Sequence, residues 1–264
     1  MIVDKINEYL SRKDLTLDEA MLTEISELSA WSFKRQFMES RTTERKVRFS
    51  NAGKCPRALA YMIHDYPHNG KEMDSRSLLA FWYGDMAEMI VTNLAKHAGV
   101  PLKHTGKDQL ELELALPSGQ VIKGHPDGVV GDYLFECKSM TSFSFEDFER
   151  GKIDRGYLVQ VNLNMLALHL EKCVIVAFNK NSNVLAEQIV SLDETLLCRT
   201  RCDLHHVFTS TKEDLPERMF KPNERGFLPW QCAYCFAHGH CYPKAKKVLV
   251  GKSYKLKLEK TSEK

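Results

Sequence analysis

The stretch that most constrains this chain runs from Gly124 to Lys138 and reads G-H-P-D-G-V-V-G-D-Y-L-F-E-C-K. Gly131-Asp132 suits a two-residue hairpin loop, because Gly in the first central place allows a type II′ turn. Val130 then pairs with Tyr133. Counting back from the turn puts Asp127 opposite Glu136, with Lys138 two residues further along the same face. Opposed carboxylates roughly 5 Å apart at Cβ repel each other. A cation belongs between them, and a divalent metal that prefers hard oxygen ligands is the natural one. Lys138 adds a charge that can orient a water or stabilise charge developing on a phosphate. The plainer alternative makes Asp127 a turn residue, with Glu136 and Lys138 on the solvent face of an edge strand. Against it, Tyr133, Leu134, Phe135 and Cys137 leave the strand apolar on both faces and bury Glu136 among them. A bare buried carboxylate is costly.

The 264 residues are enough for a full core, as one large domain or a domain with appendages. Asp4, Lys5 and Glu8 interrupt the first ten residues, so no secretory signal is read there, and no apolar run approaches membrane-spanning length. The expectation is a soluble, cytoplasmic protein without a membrane partner. Eight Cys in such a chain argue for thiols or metal ligands rather than a disulfide frame. The net charge of +2 conceals an asymmetry: eight Lys and two Glu in residues 244–264 give +6, which leaves 2 − 6 = −4 for the rest. The organisation read from this is a helical segment over 1–50, a main domain over 51–243 and a Lys-rich tail over 244–264. The tail could bind DNA, bind a partner or simply be solvated, and base rates favour the last.

Ile2, Ile6 and Leu10 recur at helical spacing, and Thr16-Leu17-Asp18-Glu19 has the form of a capping box opening a second helix through about Met38. Arg41, Arg45, Lys46 and Arg48 form a basic run for which a solvated loop is the commoner meaning than a nucleic-acid contact. Pro56 suits the first turn of a helix, with Cys55 before it and Lys54 and Arg57 flanking. Leu78 to Ala95 reads as a long buried helix. Within it Glu88 is either a third metal ligand or the partner of a nearby cation. Gln109 to Leu116 alternates as a half-buried strand and, with the hairpin, predicts three consecutive strands. Helices follow over 145–150 and 157–170, the second with Gln160 and Asn164 on one face. Strands over 173–179 and 184–190 and a helix over 193–208 complete a mixed sheet flanked by helices.

Cys232, Cys235 and Cys241 follow the pattern C-x2-C-x5-C, a strong ligand signal because short loops can aim three sulfurs at one centre. Cys55 can supply a fourth. Four thiolates suit a 4Fe-4S cluster or zinc, and spacing does not separate the two. His238 and His240 could instead complete a local zinc site that leaves Cys55 idle. Cys137, Cys173, Cys198 and Cys202 fall in predicted strands and helices and read as simple hydrophobes.

Taken together, G-H-P-D at 124–127, E-C-K at 136–138 and the helix that carries Gln160 resemble the PD-(D/E)xK nuclease superfamily, RecB-like branch. Cys55-Pro56-Arg57 with Cys232, Cys235 and Cys241 resembles its iron-sulfur members, the AddB-type helicase-nucleases and the CRISPR-associated RecB-like exonucleases. The likeness spans about Cys55 to Pro243. It implies a restriction-endonuclease-like α/β fold and a nuclease domain over 51–243 whose N- and C-terminal parts are joined by the cluster. It further implies Mg2+ or Mn2+ held by Asp127, Glu136 and the carbonyl of Cys137, and Lys138 as the catalytic lysine. Glu88 would stand where many members have His. Gln160 would begin the Q-x-x-x-Y motif that contacts DNA. Asn164 departs from that motif's Tyr, although Tyr157 lies one turn before Gln160 on the same helix. The implied activity is a metal-dependent DNA exonuclease in recombination, repair or replication, acting on single strands or DNA ends. Lys54, Arg57 and the tail would guide the strand, and a helicase or recombination protein is a conceivable partner. The rivals are a catalytically silent DNA-binding or scaffold subunit and a structure-specific endonuclease.

Overall fold

The computed structural model describes residues 1–15, 19–38, 46–67, 75–251 and 253–258. The capping box beginning at Thr16 and most of the basic run from Arg41 therefore lie outside the described residues. In chain order the helices and strands are α1 (Ile2–Leu10), α2 (Glu19–Phe37), α3 (Pro56–Ile63), α4 (Ser75–His97), β1 (Leu102–Lys103), β2 (Leu112–Ala115), β3 (Val121–Gly124), β4 (Gly128–Val130) and β5 (Tyr133–Met140). Then come α5 (Ser142–Glu149), α6 (Arg155–Leu168), β6 (Lys172–Asn179), β7 (Leu185–Ser191), α7 (Glu194–Thr209), the single turns α8 (Trp230–Ala233) and α9 (His238–Cys241), β8 (Ala245–Val250) and β9 (Ser253–Leu258).

The central sheet has the order β1-β4-β5-β6-β7, with β5 and β6 parallel and the other neighbours antiparallel. Strand β5 is the middle strand and alternates between two cores. Phe135 and Cys137 face one layer, where Ile2, Val3 and Ile6 of α1 meet Val91 and Ala95 of α4. Leu134 and Met140 face the other, with Phe145 and Phe148 of α5 and Val161 and Met165 of α6. This is an α/β fold with a mixed central sheet flanked by helices, as the pattern of elements predicts. The hairpin register is also as counted: Val130 pairs with Tyr133, Val129 with Leu134 and Gly128 with Phe135. Gly131 has φ +59 while Asp132 stays out of the left-handed region, the combination that a type II′ turn needs.

Several expectations change. Strand β2 does not join β4 and β5 in one meander. It pairs with β3 in a separate two-stranded sheet, and the short β1 takes the place beside β4. Pro126 explains the break, since it lacks an N–H for the ladder and ends β3 at Gly124. The leucines of β2 pack instead under α6 and α7, with Phe49, Leu163 and Leu204. Gly124 is needed there, because a Cβ would lie 2.1 Å from the Phe49 ring. Helix α4 is buried only over its later turns, whereas Leu79, Phe81 and Tyr83 are exposed. Cys198 and Cys202 are exposed rather than core, because α7 turns Leu197, Thr200, Leu204 and Val207 inward. Cys137 and Cys173 are buried hydrophobes. Within the Lys-rich region, residues 245–250 and 253–258 pair as an antiparallel β-hairpin. No helix among the described residues is long and apolar enough to cross a membrane.

Candidate active site

The middle strand brings the first group of residues together. Asp127 sits just beyond the last β4–β5 pair, and its Oδ2 accepts a hydrogen bond from the Cys137 backbone N–H at 2.8 Å. That bond ties the GHPD loop to β5 and leaves Asp127 only 8% exposed. Glu136 is completely buried, and Lys138, next on the same face, places Nζ 2.5 Å from its Oε1. The α6 helix contributes Gln160, whose amide Nε2 donates to the same Glu136 oxygen at 2.7 Å. Its Oε1 accepts from Lys138 Nζ at 3.2 Å. The Tyr157 ring, one turn earlier, lies 5.2 Å from the Lys138 ammonium. Glu136, Lys138 and Gln160 thus form a closed triangle of charge-assisted hydrogen bonds between strand and helix.

From the α4 side comes Glu88, whose Oε1 accepts from Gln109 at 2.8 Å. Burial, then the negative charges of Glu136 and Asp85, push the Glu88 carboxyl up to about 7. Asp127 is raised well above the ordinary carboxylate range, first by burial and then by Glu136 and Glu88. Burial works against the Lys138 ammonium, but Glu136 and Asp127 hold it protonated above the usual lysine range. Three carboxylates therefore bear on one another around a single ammonium, an excess of buried negative charge that a cation would relieve. The second Glu136 oxygen, Oε2, is buried without a hydrogen-bond partner. These oxygens suit a hard divalent ion. Among the described residues, however, no group of three or more His, Cys, Asp or Glu is arranged to hold a metal ion.

Of the residues that sequence reasoning assigned to DNA contact, Gln160 and Arg57 also have partners within the protein. Gln160 is buried against Glu136 and Lys138. Asn164 is fully buried, with neither amide atom hydrogen-bonded. Arg57 donates to Tyr61 Oη and to the Pro216 carbonyl. Lys54 is exposed. Gln109 and Asp85 were not singled out from the sequence. Asp85 accepts from Ser32, Arg35 and Gln36 and ties α2 to α4 just before Glu88. Only the i, i+3 spacing of Asp85 and Glu88 on one helix hints at this.

The four cysteines form the second group. Cys55 is the N-cap of α3, while Cys232, Cys235 and Cys241 lie on α8, α9 and the turn between them. All four are free thiols, part-exposed, and close enough for their charges to be felt mutually. Burial, then the neighbouring thiols, raise Cys232 to about 12. Burial also raises Cys235 and Cys241, with Arg218 opposing it at Cys241. Thiols have the donor chemistry of an iron-sulfur cluster or zinc, but among the described residues these four, like the carboxylates, are not arranged as a metal-holding group. The two histidines of the local alternative each face a carbonyl: His238 Nδ1 is 2.9 Å from Cys235 O and His240 Nε2 is 3.1 Å from Pro67 O.

No protein-family model and no curated protein matches the chain. Among solved structures, the crystal structure of SSO0001 superposes with a TM-score of 0.50 at 18% identity, covering 82% of this chain and 95% of that one. The alkaline exonuclease LHK-Exo from Laribacter hongkongensis gives 0.45 at 16% identity, over 69% of this chain and 90% of that one. A phage-related exonuclease from Haemophilus somnus 129PT gives 0.32 at 12% identity, over 78% and 89%. At 18% identity the likeness to SSO0001 speaks to the fold alone.

Proposed function

We propose that this protein is a metal-dependent deoxyribonuclease, an exonuclease acting on single strands or DNA ends. The observation that carries the reading is the buried triangle of Glu136, Lys138 and Gln160, with Asp127 and Glu88 adding uncompensated negative charge and Glu136 Oε2 left without a partner. Asp127 and Glu136 would hold a Mg2+ or Mn2+ ion, with Glu88 and the Cys137 carbonyl completing its protein ligands. Such an ion supplies Lewis acidity and a water acidic enough to attack a phosphodiester near neutral pH. The chain's own residues do the rest. Lys138 keeps its proton and places a compact positive charge where negative charge grows on the phosphate oxygens. Gln160 holds both Lys138 and Glu136 in one geometry, so that little reorganisation is needed during reaction. The backbone N–H of Cys137 fixes one Asp127 oxygen.

The four cysteines would hold a 4Fe-4S cluster that restrains the two ends of the domain, a structural role. Iron and acid-labile sulfide in anaerobically purified protein support this, whereas stoichiometric zinc replaces it with a zinc centre. The decisive experiment is degradation of end-labelled linear single-stranded DNA with Mn2+, comparing wild type with Lys138→Ala. Cutting by wild type that vanishes in the variant supports the enzyme and its site together. A wild type with an intact metal centre that cuts nothing rejects the reading. Circular single strands that remain intact separate an exonuclease from an endonuclease.

A further inference from the structure

Glu88 has a setting that comes from outside the central sheet. The turn of α4 that bears it is fastened to α2 through Asp85, three residues earlier. Asp85 Oδ2 accepts from Ser32 Oγ at 2.8 Å, from Arg35 Nη2 at 2.7 Å and from Gln36 Nε2 at 2.9 Å. Hydrogen bonds to an ionised oxygen are the strong ones, and three from one helix fix how α4 is rotated against α2. Further along the same helix pair, Lys96 Nζ reaches Glu24 Oε1 at 2.8 Å.

The group that touches Glu88 itself is Gln109, whose Nε2 donates to Glu88 Oε1 at 2.8 Å. Gln109 stands just after a single 3-10 turn, Gly106–Asp108, and that turn is also seated on α2. Gly106 has φ +60, and a Cβ there would lie 3.0 Å from Leu28 Cδ2. Lys107 Nζ reaches Glu27 Oε2 at 3.1 Å. A left-handed glycine lets this backbone approach α2 closely enough to bring Gln109 onto Glu88. Helix α2 thus seats both partners, the helix turn under Glu88 and the loop that carries Gln109. Beside the pair lies a cavity of about 30 Å3 with Ser32, Arg35, Asp85, Glu88, Met89 and Gln109 on its walls. It gives a Glu88 side chain released from Gln109 room to turn toward the Arg35 guanidinium, whose charge it already feels.

We propose that Gln109 is a positioning residue for Glu88, and that α2, by seating both the Asp85 turn and the Gly106–Asp108 turn, is a working part of the candidate active site. The inference rests on the reading above in which Glu88 is a ligand of the Mg2+ or Mn2+ ion. Gln109 holds the carboxylate in one rotamer, close enough to Asp127 and Glu136 for their charges to be felt. The ion then meets a preformed ligand, which is what hydrogen-bonded outer partners of ligating side chains provide.

The test is Mn2+ binding by the full-length protein, read by titration calorimetry, in a double-mutant cycle of Gln109→Met and Glu88→Gln. Met keeps the length of Gln and removes the donor. Gln109→Met raises the Kd for Mn2+ by about 10-fold or more, the scale for loss of an outer partner. Glu88→Gln raises it at least as far, and the double variant binds no more weakly than Glu88→Gln alone, because Gln109 acts through Glu88. Gly106→Ala, which strains the turn and presses on Leu28, shifts Gln109 without replacing it and raises Kd in the same direction. Lys96→Met removes a different tie between α2 and α4 and leaves Kd unchanged, while circular dichroism and melts follow the fold of every variant. A wild-type Kd in Gln109→Met or in Glu88→Gln overturns the inference, and so do additive effects in the double variant. An unchanged Kd in Gly106→Ala overturns the role given to α2. DNA cutting is scored separately. A wild type that cuts while both single variants keep its Kd rejects the positioning role and leaves the nuclease. One that shows the cycle and cuts nothing rejects the nuclease and keeps the positioning role, and one that binds no Mn2+ rejects both.

Discussion

The carboxylate site and the cysteine segment assemble their groups in opposite ways. Asp127, Glu136 and Lys138 sit within fifteen residues of chain, on or beside the middle strand of the sheet, and a helix packed on that strand holds Glu136 and Lys138 by side-chain hydrogen bonds. Cys55 and the three later cysteines come from distant parts of the chain and stand on an N-cap and two single helical turns. Their surrounding core is small, with Leu228, Tyr242 and Leu256 as its buried members. A site on a sheet can tolerate buried repulsion because the surrounding packing over-determines it. A site on short turns relies on what its own ligands bind.

The largest effect expected from breaking this contrast is at Lys138. Lys138→Ala removes the one ammonium among the carboxylates and should lower the rate of DNA hydrolysis by about 10²- to 10³-fold, the scale for loss of a preorganised electrostatic group. End-labelled substrate in gel assays measures it. Next, Mn2+ at about 100 times its dissociation constant should stabilise the folded protein by ~2.7 kcal/mol. Asp127→Asn should abolish that gain, because it removes both a ligand and part of the repulsion that the ion relieves. Thermal melts with and without Mn2+ decide this, and an unchanged gain in Asp127→Asn would place the ion elsewhere.

Cys241→Ser sharpens the same contrast from the other side. It should release the metal of the cysteine centre and lower the melting temperature, while the Mn2+-dependent stabilisation at the carboxylate site persists. Metal analysis and melts on one sample show whether the two centres are independent. The smallest effect is at Gly124→Ala, whose new Cβ would strike the Phe49 ring. Overpacking of that kind costs about 1–3 kcal/mol, and urea unfolding measures it. Replacing Phe49 by Leu in the same chain should recover part of the loss, because the contact is with the ring alone.

The hairpin register was legible because a Gly-first two-residue loop leaves one pairing open to an alternating strand, so Val130 had to meet Tyr133. Strands β6 and β7 and helix α7 were equally plain, and Asp193 caps α7 through the Leu196 N–H. Sequence reasoning joined β2 to the wrong neighbours because its leucines fit either core. It placed Cys198 and Cys202 inside because periodicity does not say which face of α7 is covered. It read no strands in the Lys-rich region, because the density of charge there hid Leu256, the apolar residue that anchors the hairpin.

The amino-acid sequence by itself determined the elements whose periodicity and turn chemistry are local: the β4–β5 hairpin, the face shared by Glu136 and Lys138, and the helix that carries Gln160. Tertiary structure alone decided that Gln160 closes on Glu136 and Lys138, that Glu88 and Gln109 meet, and that Cys55 comes near the later cysteines. Each of these unites residues from different elements. No local spacing specifies such a meeting, which depends on how the layers pack.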